Sequence, residues 1–421
     1  MTLWEYLKGR MLEHSRRVAL EDGTTYGELV DYIEERAKKH TERNRLVCVS
    51  GKSKTAHAIE ILSVLASENV AVPVDDCYGV ERKQEVETTI AQDKKQYPEL
   101  AFIMFTSGTG GKPKGVMLSH ENIIQNLKML ETYFALLPDD KILIARPLMH
   151  IAVIVGELLY GLIRGATIQF YEKPFLPQKL KREMEEKNTT VVCGTPTLFR
   201  NLLRVSACGF PLKKCVISGE RLFPALASAL SAANPQTEFY NVYGLTEHSP
   251  RVSALLPKDF ARKAGSVGKL LAGVQTKIEN GELLVKSPCV MVGYYTDAAR
   301  TNAKIKNGWL YTGDVAHTDR NGYLYIDGRK DNMIIRSGLN VYPEEIEEVA
   351  SACAGVENCV AYGEEDDIEG NKIVLKYCGE VSEQTLRKFL SGKLAPHLMP
   401  RAIKNVNALP ATPSGKKVRK C

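Results

Sequence analysis

LAFIMFTSGTGGKPKGVMLSHENIIQNLKMLETYFALL, residues 100–137, runs from an apolar strand-like stretch through a glycine-rich loop into an amphipathic helical pattern. Its centre, FTSGTGGKPKG (Phe105–Gly115), concentrates glycines, hydroxyls and lysines. That composition suits a loop that wraps a phosphate chain with backbone N–H groups, hydroxyls and ammonium groups. It is not a Walker A loop, because Lys112 is followed by Pro113 rather than Ser or Thr. Nor is it the dinucleotide fingerprint, because Pro113 stands where a third glycine is required. A glycine-rich solvent turn is the plain structural alternative. The strand before the loop and the density of donors (Thr106, Ser107, Thr109 and the charge of Lys114) argue against it.

Working outward, RLVCVSG (45–51), ENVAVPV (68–74), TTVVCGT (189–195) and KKCVISGE (213–220) are short apolar runs that read as buried strands. Helical patterns lie between them in ALEDGTTYGELVDYIEERAKKH, AHAIEILSVLASE, HENIIQNLKMLETYFALL and ERLFPALASALSAA. Alternating strand and helix predicts a largely parallel α/β sheet. From about Gly265 the texture turns to period-two alternation with an Asn280-Gly281 hairpin signal, predicting a small antiparallel, barrel-like part. After Gly328 the pattern is strand, helix (PEEIEEVASA), two strands (NCVAYGEE, NKIVLKYCGE), helix (SEQTLRKFLSGKL) and a basic tail. The expected organisation is a large N-terminal α/β domain over 1–328 and a small α+β domain over 329–421.

The bulk numbers suit an ordinary soluble globular protein of 421 residues, 44% hydrophobic and 25% charged. A net charge of +6 is too mild and too dispersed to argue for nucleic-acid binding. No apolar run is long enough for a membrane span, and the charged N-terminus lacks a signal-peptide core, so a cytoplasmic location is expected. The ten cysteines form no CxxC pair, and neither they nor the histidines cluster as a metal site, so reduced thiols are expected.

Three further segments carry polar residues. YNVYGLTEHSP (Tyr240–Pro250) offers an aromatic plane, a glycine, a hydroxyl and a carboxylate: Thr246 can bond a phosphate and Glu247 can hold Mg²⁺. By itself the Thr246-Glu247 pair reads equally well as a helix N-cap. In GWLYTGDVAHTDRNGYLYIDGRKDNMIIRSGLNVYPEEIEEV (Gly308–Val349), Asp314 is suited to accept from ribose hydroxyls and Arg329 to reach the same sugar, although each alone reads as a surface charge. PATPSGKKVRK (Pro410–Lys420) alone reads as a solvated basic tail.

Together, in this order, the four segments resemble those of the adenylate-forming enzymes: acyl- and aryl-CoA synthetases, luciferases and peptide-synthetase adenylation domains. TSGTGGKPKG is similar to that family's phosphate loop, and YGLTE, YTGD, GRKD and PATPSGKK to its later segments. The likeness extends over nearly the whole chain. It implies activation of a carboxylic acid by Mg·ATP to acyl-AMP with release of pyrophosphate. Transfer to a thiol, of CoA or of the phosphopantetheine on a carrier protein, then follows. The implied ATP-binding set is Thr106, Ser107, Gly108, Thr109, Gly110, Gly111, Lys114, Gly219, Glu220, Tyr243, Gly244, Thr246, Asp314, Arg329 and Lys416. Glu247 is the implied Mg²⁺ ligand, and Lys416 the cation that bridges the reacting anions, ahead of its neighbour Lys417. The resemblance also implies that the small domain moves about Asp331. Gly338 then lines a thiol tunnel, unless it only makes a tight turn.

The implied acid pocket comprises His150, Gly194, Gly219, Val242 and Leu245. Amino-acid-activating relatives place an Asp after the strand that here reads ARPLMHIAVIVGELL. This stretch has His150 and, as its first carboxylate, Glu157, which favours a fatty or aromatic acid without an α-amine. His150 is expected near the carboxylate, a packed core histidine being the alternative. Two departures stand out. Gly110 replaces a family hydroxyl, a loss of about 1 kcal/mol if unreplaced. The stretch Cys77–Phe102 is short where relatives insert a longer segment, which keeps a carrier-loading ligase, with an amino acid among its possible substrates, as the alternative. The acid itself is not legible.

Overall fold

The computed structural model describes residues 1–74, 80–107, 113–206, 209–336, 339–366 and 370–409. Chain contacts divide the molecule into two compact units, one of Met1–Thr276 with Val285–Leu310, the other of Lys277–Leu284 with Tyr311–Cys421.

The first unit holds two sheets. In one, Leu46–Val49, Val70–Pro73 and Leu100–Ser107 run parallel, and Pro113–Ser119 and Gly293–Tyr294 continue the sheet antiparallel. In the other, Glu238–Gly244, Lys214–Ile217, Val191–Gly194, Lys141–Ile144 and Thr167–Phe170 lie side by side in that order, all parallel. Arg251–Leu255 and Lys269–Leu270 extend it antiparallel. The apolar four-residue runs VVCG and KCVI are buried at every position, as strands covered on both faces must be.

The sequence predicts a strand, a loop and then a helix around the glycine-rich stretch. The structure inserts a strand. Pro113–Ser119 folds back antiparallel on Leu100–Ser107, with Thr106 opposite Lys114, before the helix His120–Glu131 begins. Period-two burial of Val116 and Leu118 drives this hairpin. Ser119 then caps the helix in a reciprocal box with Asn122, and Ile123, Ile124, Leu127 and Leu130 turn inward along one face. The buried Asn126 on that helix accepts from Arg251 N (3.2 Å) and donates to Arg251 O (3.1 Å).

The helix predicted from residue 19 begins only at Tyr26, where Thr25 and Glu28 form a capping box. The stretch ARPLMHIAVIVGELL (145–159), expected as a strand, is helical over most of its length, because the strand before it already ends at Ile144. After the short helix Ile151–Val153 the chain widens into a π-helical turn over Ile154–Leu159, then resumes as Tyr160–Ile163. Such turns insert a residue and re-aim side chains, often at functional sites.

In the second unit, Asn280 (φ 51°) and Gly281 (φ 78°) both sit in the left-handed region, as a two-residue hairpin turn requires. Leu324–Arg329 pairs antiparallel with Trp309–Thr318. Beyond it, Val356–Asp366 and Gly370–Gly379 pair antiparallel, and Ala402–Asn405 adds in parallel. Helices Pro343–Ser351 and Glu383–Ser391 pack on this sheet through a core that includes Ile346, Leu375, Tyr377, Leu386 and Leu390. The mixed α/β class, with a large N-terminal and a small α+β C-terminal part, is as the sequence predicts. Among the described residues no helix is long and apolar enough to cross a membrane.

Candidate functional site

The hairpin sets Lys114 beside Thr106, and the strand Glu238–Gly244 delivers a 3₁₀ turn, Thr246–His248, to the same place. Lys114 Nζ lies 2.7 Å from Glu247 Oε1. Tyr294 donates its hydroxyl to the same oxygen at 2.8 Å. It also accepts from Lys114 Nζ at 3.3 Å, and its ring centroid lies 5.0 Å from that ammonium. Both bonds to Glu247 fall on Oε1. Burial alone raises the Glu247 carboxyl, but the Lys114 charge and the bonds from Lys114 and Tyr294 outweigh it and hold the group below its ordinary value. The arrangement is therefore an ionised carboxylate beside a cation. Close by in the hairpin, Thr106 Oγ1 is buried and bonds to no described residue.

The turn is fixed from behind. His248 is fully buried and its Nε2 shares a 2.7 Å hydrogen bond with Ser287 Oγ. Burial pushes its pKa down to about 4, so the ring is neutral. Met291 N donates to Glu247 O at 2.9 Å, and Ser249 Oγ to Cys289 O at 2.9 Å. Thr246 does not cap the turn; Leu245 occupies that position without a side-chain bond. A Cβ on Gly244 would fall 2.1 Å from Pro250 O, so the chain approaches itself too closely for any side chain. Gly244→Ala is expected to cost about 2–3 kcal/mol, read as a lowered denaturant midpoint. An unchanged midpoint would show that the turn yields freely.

The residues expected around the acid gather at the carboxyl ends of the parallel strands, where open α/β sheets place their ligands. Gly194 ends one strand and pairs with Ile217, and Gly219 (φ +88°) follows the next. Val242 lies on the adjacent strand, Leu245 just beyond it, and His150 precedes the helix Ile151–Val153. Glu220 accepts from Thr197 Oγ1 at 2.8 Å. Tyr243 pairs across to Ser253.

Sequence reasoning missed a charged group in this region. Arg146 reaches Glu157 Oε1 at 2.6 Å and Ser218 Oγ at 3.3 Å. Glu157, on the π-helical turn, is fully buried. Tyr294 was also missed. A Gly-Tyr-Tyr run in an antiparallel segment carries no signal that one hydroxyl meets a glutamate far away in sequence.

In the second unit, Asp314 and Arg329 stand directly opposite each other on paired strands. Arg329 Nη1 is 3.0 Å from Asp314 Oδ1 and 3.2 Å from Thr312 O. Asp331 is exposed in the turn Lys330–Asn332, 3.6 Å from Arg329 Nη2. Gly108, Thr109, Gly110, Gly111, Gly338 and Lys416, and the side chain of Ser107, lie outside the described residues. Among the described residues no group of three or more His, Cys, Asp or Glu side chains is placed to hold a metal ion, and the described cysteines are free thiols.

Residues 24–295 match the AMP-binding enzyme family, and residues 345–416 match the AMP-binding enzyme C-terminal domain. The mitochondrial medium-chain acyl-CoA ligase ACSF2 of Rattus norvegicus is 32% identical over 340 residues, which is 75% of this chain and 55% of the rat protein. The acyl-CoA ligase YhfT of Bacillus subtilis is 34% identical over 340 residues, 76% of this chain and 68% of that one. A 2-succinylbenzoate–CoA ligase of Listeria monocytogenes is 32% identical over 321 residues, 75% of this chain and 68% of that one. The chain thus spans between about half and two thirds of the length of these relatives. In fold it is similar to ATP-bound MatB from Rhodopseudomonas palustris, with a TM-score of 0.87 at 23% identity, covering 99% of this chain and 97% of that one. It is also similar to o-succinylbenzoate CoA synthetase from Bacillus subtilis in complex with an acyl-adenylate, with a TM-score of 0.85 at 22% identity, covering 100% of this chain and 97% of that one.

Proposed function

The chain belongs to the AMP-binding enzyme family, and from that premise we propose that it is an ATP-dependent acid–thiol ligase acting through an acyl-adenylate. The observation that carries this reading is the Lys114–Glu247–Tyr294 constellation beside the Gly-rich hairpin. An anionic triphosphate needs fixed cations and donors near it, and Lys114 together with Thr106 Oγ1, which bonds to no described residue, supplies them. Glu247 also fits Mg²⁺, which is commonly held by one or two carboxylates together with substrate phosphates rather than by an all-protein cage. Mg²⁺ bound there offsets phosphate charge. When the nucleotide arrives, Lys114 exchanges its carboxylate partner for phosphate oxygens, while Tyr294 keeps Glu247 oriented.

In the first step an oxygen of the acid attacks the α-phosphorus, and the bond to the bridging oxygen of pyrophosphate breaks. The glycine-rich segment Thr106–Gly111 holds the leaving pyrophosphate, Thr246 contacts the α-phosphate, and Tyr243 stacks on adenine with Gly244 admitting it closely. Asp314 accepts from the ribose hydroxyls with Arg329 beside it, and Lys416 bridges the two reacting anions. In the second step a thiolate attacks the acyl carbon and AMP leaves. We assign the body to 1–328 and the small domain to 329–421, with Asp331 as the hinge between the two steps and Gly338 admitting the thiol arm.

The acid lies at the ends of the parallel strands against His150, Gly194, Gly219, Val242 and Leu245. It carries no α-amine, a reading supported by the commitment of Glu157 to Arg146. CoA is the favoured thiol, since curated relatives are CoA ligases. A reducing compartment such as the cytoplasm suits the free thiols. The test incubates the purified chain with ATP, Mg²⁺, an acid that supports pyrophosphate release, and either CoA or a phosphopantetheinylated carrier protein. Steady thioester formation on free CoA is expected; thioester on the carrier alone would instead make this a carrier-loading enzyme.

A further inference from the structure

Behind the residues assigned to the acid lies a buried polar cluster that the two-step chemistry does not use. Arg251 is 1% exposed, Glu157 is 0% exposed, and the side chain of Arg146 is 14% exposed. Arg146 bonds Glu157 Oε1 and Ser218 Oγ, and Ser218 immediately precedes Gly219. Arg251 starts the antiparallel strand next to Glu238–Gly244, opposite Gly244, and its guanidinium lies against the π-helical turn. A Cβ on Gly156 would fall 2.5 Å from Arg251 Nη2, so the guanidinium packs directly against that glycine. The charges of Arg146, Arg251 and Glu157 all act on the Cys193 thiol, which precedes Gly194. The cluster therefore adjoins two of the residues assigned to the acid pocket.

Its donors and acceptors do not balance. Arg251 Nε and Nη2 and Arg146 Nε are buried and bond to no described residue, against a single such carboxylate oxygen, Glu157 Oε2. Two guanidiniums face one carboxylate. Burial pushes the Glu157 carboxyl up, against the pull of Arg146, Arg251 and Lys54. A buried ion cluster that served only the fold would be expected to be neutral and fully paired. Here one negative charge is lacking, and the Tyr133 hydroxyl, which the Arg251 side chain also reaches, is a further acceptor beside it.

Resting on the acid-activation reading above, we infer that the acid carries a second anionic group at its far end, a carboxylate, which Arg251 and Arg146 bind. The reactive carboxylate then lies toward His150, and the distal one compensates the buried guanidiniums. A purely hydrocarbon tail would leave those donors unpaired, and a pocket built to bond a polar group discriminates strongly against a ligand that lacks it.

The experiment measures ATP–pyrophosphate exchange with length-matched acid pairs: hexanoate against adipate, octanoate against suberate, and benzoate against terephthalate. In at least one pair the dicarboxylate is expected to exceed its partner in kcat/KM by about 30-fold or more. Arg251→Met is expected to remove most of that preference, chiefly through KM, and Arg251→Lys to restore part of it. Should Arg251→Met not fold, the wild-type pairs decide the matter alone. A monocarboxylate that matches or exceeds its dicarboxylate in every pair that supports exchange overturns this inference and leaves the ligase reading standing. Exchange with none of the six acids overturns the inference for these classes, and loss of ATP binding as well overturns the ligase reading with it.

Discussion

Lys416→Ala is expected to lower ATP–pyrophosphate exchange by about 10²–10³-fold, the effect of removing one group that stabilises charge only in the transition state. ATP binding, read by calorimetry, is expected to stay within about threefold. The reasoning is electrostatic. A carboxylate and a phosphate must approach until a bond forms, and the repulsion between them is largest at that point. A lysine held between them acts most strongly there and little on bound ATP alone, so its loss appears in kcat and not in nucleotide affinity. Lys417→Ala provides the control and is expected to behave nearly as wild type. Exchange at the wild-type rate in Lys416→Ala would show that the bridging cation is another residue.

Glu247→Gln has the next largest expected effect, about a 10²-fold loss of exchange with a raised Mg²⁺ requirement. The amide keeps the shape and the bond from Tyr294 but removes the charge that is proposed to hold Mg²⁺ and that Lys114 faces. With side chains only 22% and 13% exposed, Lys114 and Glu247 form a largely desolvated pair, so leaving Lys114 without its anion costs about 2 kcal/mol of stability as well. The pH dependence separates the two contributions. Because the folded protein holds the Glu247 carboxyl below its ordinary value of 4.5, its stabilisation is fully present above the unfolded pKa. It is lost as pH falls through the lower, folded value. Wild type should therefore lose stability on acidification below about pH 4.5 more steeply than Glu247→Gln. Urea midpoints measured between pH 3 and 6 check this, and equal slopes would mean that Glu247 is not the ionised partner.

Much of this was legible in the sequence, and for identifiable reasons. Thr106–Lys114 concentrates glycines, hydroxyls and lysines within a few positions, so it stands out directly as a candidate phosphate loop. The same holds for Thr246 and Glu247, which one turn delivers together. The extra strand Pro113–Ser119 was obscured because its alternation is short and runs straight into a helix cap. Arg251 and Arg146 were illegible for a different cause, and Glu157, noted in the sequence only as the first carboxylate of its stretch, gave no sign of its partners. Each sits in an apolar run where a charge reads as incidental, and their meeting depends on a π-helical turn, whose single inserted residue leaves no periodic signature. Tyr294 belongs with them: its neighbours in sequence say nothing about Lys114 or Glu247.

The way the chain threads its two compact units also bears on how it can be divided. Lys277–Leu284 belongs to the second unit although chain on either side of it belongs to the first, so the polypeptide passes between them three times. Leu283 and Leu284 in that segment are fully buried. A polypeptide ended after Leu310 would keep this piece while losing what it packs with, exposing apolar side chains and an unpaired strand edge. The first unit is therefore not a separable cassette. Swapping the smaller unit between relatives has to transplant residues 277–284 together with everything after 310, as one discontinuous part.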